Sequence, residues 1–193
     1  MTEKARLRRS LLDARKGRTA DDLLTASLRL ADRALALPEL AGAGTVAAYI
    51  SVGSEPGSRA LVHSLYARGV RVLLPVLLAD NDLDWAAYAG PERLVPAGRG
   101  LLEPDGERLG PDAVTAADAV LLPGLAVDAR GMRLGRGGGS YDRALARIEA
   151  SGHTPALVVL LYANEVVARV PVEPHDHPVQ AVVTPEGVTR FSA

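Results

Sequence analysis

No cysteine occurs in this sequence of 193 residues. The absence excludes disulfides, thiolate nucleophiles and cysteine-ligated zinc, and it is consistent with a reducing compartment, so we expect a cytoplasmic protein. Aromatic residues are also scarce, at 4%, so the core must consist mostly of Ala, Leu and Val. Lysine occurs only at Lys4 and Lys16, and arginine therefore carries almost all of the positive charge.

A large net charge and long apolar runs are absent as well. The formal net charge is −1, which gives no broad attraction to nucleic acid or to an anionic membrane, so any anion site must be local. No stretch reaches the ~20 apolar residues that a membrane span requires, and the charged residues 1–6 do not resemble a secretory signal. We expect small-molecule partners, no nucleic acid, no membrane, and a monomeric protein.

Hydrophobic spacing predicts one α/β domain over residues 1–193. The predicted helices are residues 2–16, 20–37, 57–68 and 141–150, and the predicted strands are residues 45–50, 70–76, 82–88, 118–123, 156–161 and 180–184. Because strands alternate with helices, we expect a largely parallel sheet, with residues 1–37 as an N-terminal helical part packed on it. Residues 91–111 are rich in Pro and Gly and are predicted to form an ordered loop across one face.

Four glycines within five positions, Gly135 and Gly137 to Gly139, are the most informative local feature. Without a Cβ to block close approach, their backbone N–H groups can converge on one point. A predicted helix follows from Tyr141, and a glycine-rich loop at a helix N-terminus is a natural phosphate site. The pattern matches neither a Walker A loop nor the dinucleotide fingerprint. A flexible connection is the alternative interpretation.

One acidic residue suggests a metal site near this loop, and a second acidic loop occurs later in the chain. Asp142 falls in the first turn of the predicted helix, where it would repel a bound triphosphate unless a cation lay between them. Mg²⁺ would meet this need, because it prefers carboxylate, phosphate and water oxygens. Asp176 lies in a second acidic loop that prolines stiffen. Two alternatives stay open: Asp142 could simply complement the positive helix end, and His175 and His177 could ligate zinc.

Longer segments around these residues resemble the 5-formyltetrahydrofolate cyclo-ligase family. Residues 122–128 (LPGLAVD) and 133–143 (RLGRGGGSYDR) look like the signature of that family. Further similarity covers residues 4–8, 51–55, 100–104 and 171–184. These blocks occur in family order over nearly the whole chain.

The resemblance implies an α/β three-layer sandwich in which helices flank a central, largely parallel sheet. It also implies an enzyme of folate one-carbon metabolism that cyclises 5-formyltetrahydrofolate to 5,10-methenyltetrahydrofolate. In the family reaction ATP phosphorylates the formyl oxygen, ADP and phosphate are released, and Mg²⁺ is the cofactor. Phosphoryl transfer mainly requires alignment of the reactants and neutralisation of phosphate charge, so no Ser–His–Asp nucleophile is needed.

The resemblance also assigns roles to individual residues. Asp142 and Asp176 would hold Mg²⁺, and Lys4, Arg133 and Tyr141 would take part in catalysis. The implied ATP-binding residues are Lys4, Ala5, Arg6, Leu7, Arg8, Arg133, Leu134, Gly135, Arg136, Gly137, Gly138, Gly139, Ser140 and Tyr141. The implied folate-binding residues are Ile50, Glu55, Arg136, Gly137, Gly138, Gly139 and Ser140.

Several residues depart from the family pattern. Ser140 stands where members usually carry an aromatic residue, and Pro56 and Ser58 replace an apolar residue and Thr. Trp85 is interpreted as a core residue rather than as part of the folate slot.

Two other functions compete with the ligase. A binding-only relative would have no need of both metal carboxylates. A sugar-phosphate isomerase or phosphate-binding protein would leave Lys4 and those carboxylates without a role. We therefore favour the ligase.

Overall fold

A computed structural model describes residues 2–192. Within them the helices are α1 (Glu3–Lys16), α2 (Ala20–Leu35), α3 (Pro38–Ala41), α4 (Arg59–Ala67) and α5 (Ser140–Ser151). The strands are β1 (Thr45–Ala47), β2 (Arg71–Leu77), β3 (Leu83–Ala87), β4 (Leu94–Pro96), β5 (Leu102–Pro104), β6 (Ala119–Pro123), β7 (Ala126–Val127), β8 (Arg133–Leu134), β9 (Ala156–Leu160), β10 (Ala181–Thr184) and β11 (Gly187–Arg190). None of the helices in this part of the chain combines the length and apolar character needed to cross a membrane.

Seven strands form the central sheet, in the order β11-β10-β9-β6-β1-β2-β3. The five inner strands pair in parallel, and the edge strands β3 and β11 pair antiparallel to their neighbours. The inner strands are short apolar runs because helices cover both of their faces. The predicted fold class, an α/β sandwich around a largely parallel sheet, is confirmed.

Alternate residues of the strands face two separate apolar layers. On one face, Val46 of β1 belongs to a cluster that includes Leu30 of α2 and Leu61 of α4. On the other face, Ala47 belongs to a cluster that includes Leu145 of α5. Trp85 lies in this second cluster and is completely buried, which confirms its interpretation as a core residue. Because α2 contributes fully buried residues, it is an integral part of one helical layer.

Helix α1 lies apart from these two layers, against the short β7–β8 pair. Leu11 of α1 packs in a third cluster with Leu125, Leu134 and Val170. Its buried Arg15 donates to the carbonyl of Gly124 at 2.7 Å. These contacts fix the C-terminal half of α1, and Arg8 in its N-terminal half donates to the carbonyl of Gly135 in the glycine loop.

Several segments differ from their prediction, among them the short elements α3, β7 and β8, which were not predicted. Strand β1 ends at Ala47, and the rest of the predicted strand 45–50 leads into a loop beyond the sheet. Residues 91–111 contain the antiparallel β4–β5 pair between 3₁₀ turns, so the predicted loop across one face is wrong in that part. The unpredicted β11 follows β10 through a two-residue turn and is mostly exposed, so it lacks the apolar run that identified the other strands.

Candidate active site

A cavity of about 320 Å³ opens where β1, β2 and β6 end. Its walls come from four parts of the chain: residues 49–55, 75–83, 99–103 and 123–142. The carboxyl edge of an open α/β sheet is the usual place for a ligand. The volume lies at the lower end of the range for small-molecule sites.

The glycine loop forms one wall of this cavity. Gly137 (φ +99°) and Gly139 (φ +73°) adopt left-handed conformations that favour glycine. The side chain of Arg8 reaches the loop from α1 and donates from Nε to the carbonyl of Gly135 at 2.8 Å. A Cβ on Gly137 would lie 3.3 Å from the guanidinium carbon of Arg8. Gly139 is the N-cap of α5, and no side chain caps the first N–H groups of the helix, so those groups can bind an anion.

Arg133 connects the end of β6 with the start of α5. Its Nη1 donates to the carbonyl of Pro123 at 2.9 Å, and its Nη2 lies 3.3 Å from Oδ1 of Asp142. Its side chain is only 6% exposed. Burial lowers the pKa of the guanidinium, and the Asp142 carboxylate opposes that shift. The cation is thus held in a fixed position at the cavity wall.

Lys4 is held by the second acidic loop. Its Nζ lies 2.7 Å from Glu173 Oε2 and 2.9 Å from Asp176 Oδ2. Burial disfavours the ammonium, but the hydrogen bonds to both carboxylates outweigh this effect and raise the pKa of Lys4. Burial also acts against the charged form of Asp176, yet Lys4 and the backbone N–H of Glu173 lower the pKa of that carboxyl. Asp176 is therefore an ionised carboxylate near neutral pH.

The two predicted metal ligands lie close together. Asp142, His175 and Asp176 each offer one ligand atom within 4.8 Å of the others. His177 lies elsewhere, with Nδ1 3.7 Å from Oε2 of Glu149. Two carboxylates fit Mg²⁺, which takes oxygen ligands, whereas a third ligand from imidazole would also suit zinc.

The loop after β1 forms another wall of the cavity. Glu55 accepts a hydrogen bond from the backbone N–H of Val52 at 2.9 Å, and its other oxygen lies 3.2 Å from Nη2 of Arg136. Ser51 and Ser58 close the base of the loop, because each hydroxyl accepts a hydrogen bond from the backbone N–H of the other residue at 2.9 Å. Ser58 is a departure from the family pattern, and here it stabilises the loop.

Two tyrosines, Tyr49 and Tyr141, line the cavity. Burial raises the pKa of Tyr141, and it raises the pKa of Tyr49 well above its usual value. Both phenols are therefore neutral donors at physiological pH. Within the described residues, Tyr49 Oη and Arg133 Nε are buried without a hydrogen-bond partner. Such atoms are costly unless a ligand or water satisfies them, so this cavity suits a polar ligand.

The residues implied by the resemblance divide into two groups. Those that line the cavity are Ile50, Glu55, Arg133, Gly135, Arg136, Gly137, Gly138, Gly139, Ser140, Tyr141 and Asp142. Ala5, Arg6 and Leu7 lie on α1 outside the lining, and Leu7 packs against the third cluster. Leu134 is also buried in that cluster. Lys4, Arg8 and Asp176 also lie outside the lining, and the ligand contacts of all these residues stay predictions.

Sequence reasoning missed other residues of the lining. Tyr49 follows the last residues of an apolar strand, where a parallel sheet presents its binding edge, and that position was an available signal. Arg99 had no such signal, because it lies in the segment that was predicted to be a loop.

Comparisons with a family model and with known sequences point to the same family. The model of the 5-formyltetrahydrofolate cyclo-ligase family matches residues 1–185. The chain is 44% identical over 149 residues to 5-formyltetrahydrofolate cyclo-ligase of Mycolicibacterium smegmatis, covering 74% of each chain. It is 32% identical over 163 residues to the Escherichia coli protein of that name, covering 83% of this chain and 88% of the relative.

A solved structure agrees with the fold as well. The 5,10-methenyltetrahydrofolate synthetase of Aquifex aeolicus superposes with a TM-score of 0.83 at 27% identity. The match covers 100% of this chain and 94% of the other. The similarity therefore includes the helical N-terminal part and the strands that surround the cavity.

Proposed function

Because the chain belongs to the 5-formyltetrahydrofolate cyclo-ligase family, we propose that it uses ATP and Mg²⁺ to cyclise 5-formyltetrahydrofolate to 5,10-methenyltetrahydrofolate. The proposal rests on one observation above all. The uncapped N-terminus of α5, with its glycine loop, lies in the same cavity as Glu55 and beside the paired carboxylates Asp142 and Asp176.

The glycine loop and α1 would bind the triphosphate of ATP. The first N–H groups of α5 supply donors and the positive end of the helix dipole. Arg8 reaches the loop at Gly135 and Arg133 faces the start of α5, so both cations can lie near phosphate oxygens. Lys4 lies beside Asp176, close enough to the metal ligands to contact a metal-bound phosphate. These groups would neutralise charge that develops during phosphoryl transfer.

Asp142 and Asp176 would hold the metal ion. The donor set fits Mg²⁺, because two carboxylates lie together at the phosphate-binding end of the cavity. When bound there, Mg²⁺ would neutralise the β- and γ-phosphates and orient them for transfer. Each carboxylate is already paired with a cationic side chain, Arg133 or Lys4, so Mg²⁺ would share these carboxylates with the two cations.

The wall formed by the loop after β1 would hold the folate. Glu55 offers a fixed carboxylate for the N–H groups of a pterin ring, and Ile50 offers apolar contact. In the proposed reaction, the formyl oxygen attacks the γ-phosphorus and ADP leaves. N10 then adds to the activated formyl carbon and loses its proton, and phosphate leaves as the ring is closed. Tyr141, a neutral donor of the cavity lining, would orient the reacting groups.

The direct test is turnover of (6S)-5-formyltetrahydrofolate, followed by the absorbance of the methenyl product. We expect product only when ATP and a divalent cation are both present, loss with EDTA, and recovery with Mg²⁺. Recovery with Zn²⁺ but not with Mg²⁺ would contradict the proposed metal. Folded protein that binds folate or ATP without turnover would favour the binding-only alternative.

Asp142→Asn tests the metal site. We expect kcat to fall by about 10²-fold or more, since charge stabilisation of this kind contributes about 2.7–4 kcal/mol, and the free energy of unfolding to fall by less than this, although the pair with Arg133 is lost. Asp112→Asn is the matched control, because Asp112 is 89% exposed and lies outside the cavity lining. Equal losses of turnover and stability for Asp142→Asn would make this residue structural.

Lys4→Ala tests the nucleotide contact from α1. We expect weaker binding of Mg²⁺-ATP and unchanged folate binding. Lys16→Ala is the control, because Lys16 lies on the same helix and forms only an exposed pair with Asp13. Unchanged nucleotide affinity in Lys4→Ala would contradict the assigned contact.

A further inference from the structure

The hairpin formed by β4 and β5 makes the outer rim of the cavity. It is fixed to the sheet because Glu103 accepts a hydrogen bond from the backbone N–H of Leu77 at 3.0 Å. Leu101 and Leu102 of the hairpin line the cavity together with Leu77 and Leu83. This side of the cavity is therefore mostly apolar, unlike the side that contains the glycine loop.

Arg99 lies at the turn of this hairpin and has an unusual backbone. Among the described residues, Asn81 (φ +65°) and Arg99 (φ +61°) are the two non-glycine residues with positive φ. They are also partners, because Nη1 of Arg99 donates to Oδ1 of Asn81 at 3.1 Å. Two left-handed residues that support one another keep the Arg99 guanidinium at the rim, although each such conformation costs about 1–3 kcal/mol.

In the part of the chain that the structure describes, Arg99 also differs from the other arginines of the cavity wall in having no carboxylate partner. Arg133 is paired with Asp142, and Arg136 is paired with Glu55. Within residues 2–192, no carboxylate lies within ion-pair distance of Arg99. A cation at the mouth of the cavity is thus available for an anionic ligand, and its planar fork of donors suits a carboxylate.

We propose that Arg99 binds the glutamyl carboxylates of the folate substrate and thereby sets the preference for the length of the glutamate tail. The inference rests on the proposed function. If the pterin lies against Glu55 and the formyl group faces the glycine loop, the aminobenzoyl ring extends along Leu77, Leu83 and Leu101. The glutamate then emerges at the rim, where Arg99 lies.

Glu103 acts against this contact, because its carboxylate also belongs to the cavity lining. Its Oε1 is already engaged by the N–H of Leu77. Arg99 itself is exposed, so solvent and salt weaken its attraction for a carboxylate. An exposed pair of this kind contributes about 5-fold in affinity, and a second glutamyl residue offers a further carboxylate.

The test compares ligands with and without the glutamate. Equilibrium dissociation constants are measured for 5-formyltetrahydrofolate, its triglutamate form and 5-formyltetrahydropteroate, which lacks glutamate. The proteins are wild type, Arg99→Ala and Arg93→Ala. Arg93 is the matched control, since it is an exposed arginine near the base of the same hairpin, is paired with Asp105, and lies outside the cavity lining.

We expect Arg99→Ala to weaken binding of the monoglutamate about 5-fold and of the triglutamate by more, with the pteroate unchanged. Arg93→Ala should leave all three constants unchanged. Equal weakening for all three ligands, or a loss confined to ATP, would overturn the assignment to Arg99. Because binding is measured directly, this result does not depend on turnover. Absence of turnover in the wild type would refute the proposed function and leave the outcome of the Arg99 comparison readable.

Discussion

The buried ion pair between Arg15 and Glu165 should be the most sensitive point of the fold outside the two main apolar layers. The side chains are 2% and 1% exposed, and Arg15 Nε lies 2.6 Å from Oε1 of Glu165. The pair has further partners, because Arg15 donates to the carbonyl of Gly124 and Glu165 accepts from the N–H of Tyr162 at 3.0 Å. The pair therefore joins α1, the end of β6 and the segment after β9.

The loss of stability expected on breaking this pair follows from the cost of burying an unpaired charge. Removing one partner leaves the other charge buried without compensation, which costs about 3–5 kcal/mol. For a chain of this size, that corresponds to a drop of about 6–20 °C in melting temperature. Arg15→Met and Glu165→Gln should each show such a loss. The double variant should lose clearly less than the sum, because it leaves neither charge alone.

Urea unfolding is a direct assay, since the single tryptophan, Trp85, is completely buried and its fluorescence will report global unfolding. A double-mutant cycle from the four midpoints gives the coupling energy. Single losses below about 1 kcal/mol, the level of an exposed pair, would refute the reasoning. So would a double variant whose loss equals the sum of the single losses.

Two further predictions concern other parts of the molecule. Asp82 accepts hydrogen bonds from Arg147, and these outweigh desolvation and lower the pKa of Asp82. The resulting stability is present above the unfolded pKa and is lost as the pH falls through the folded pKa. Asp82→Asn should therefore cost about 1 kcal/mol at pH 7, and thermal melts should show the difference from wild type shrinking below about pH 5. A constant difference would argue against the pair. Gly137→Ala should weaken ATP binding, because the new methyl group would meet Arg8. Gly152→Ala, with positive φ but open space around it, is the control for backbone strain; equal ATP affinity in both variants would contradict the expectation.

The parallel core of the sheet was predictable because its strands are buried on both faces. Residues 118–123 and 156–161 are short apolar runs bounded by turns, and they correspond to β6 and β9. The shorter strands gave no such signal. β4 and β5 have three residues each and include prolines, so a Pro- and Gly-rich composition outweighed any periodicity. β11 is an exposed edge whose pairing depends on β10.

The candidate site was predictable where it is local in sequence. The glycine loop and Asp142 lie within a few residues of one another, and phosphate chemistry relates them directly. The position of Asp176 next to Asp142 came only from family resemblance, because no local pattern brings a loop after β9 back to the start of α5. Arg15 and Glu165 are 150 residues apart, and an arginine in a helix is usually solvated. Their pairing depends on how α1 docks, which composition does not determine.

The cavity draws its walls from four stretches that lie far apart along the chain, between residues 49 and 142. No partly folded fragment can present all of them, so the substrates should bind the completed fold alone. By mass action, ligand at a hundred times its dissociation constant then adds about 2.7 kcal/mol to the free energy of unfolding. The supply of nucleotide and folate would therefore affect the lifetime of the protein in the presence of cellular proteases as well as its rate of turnover.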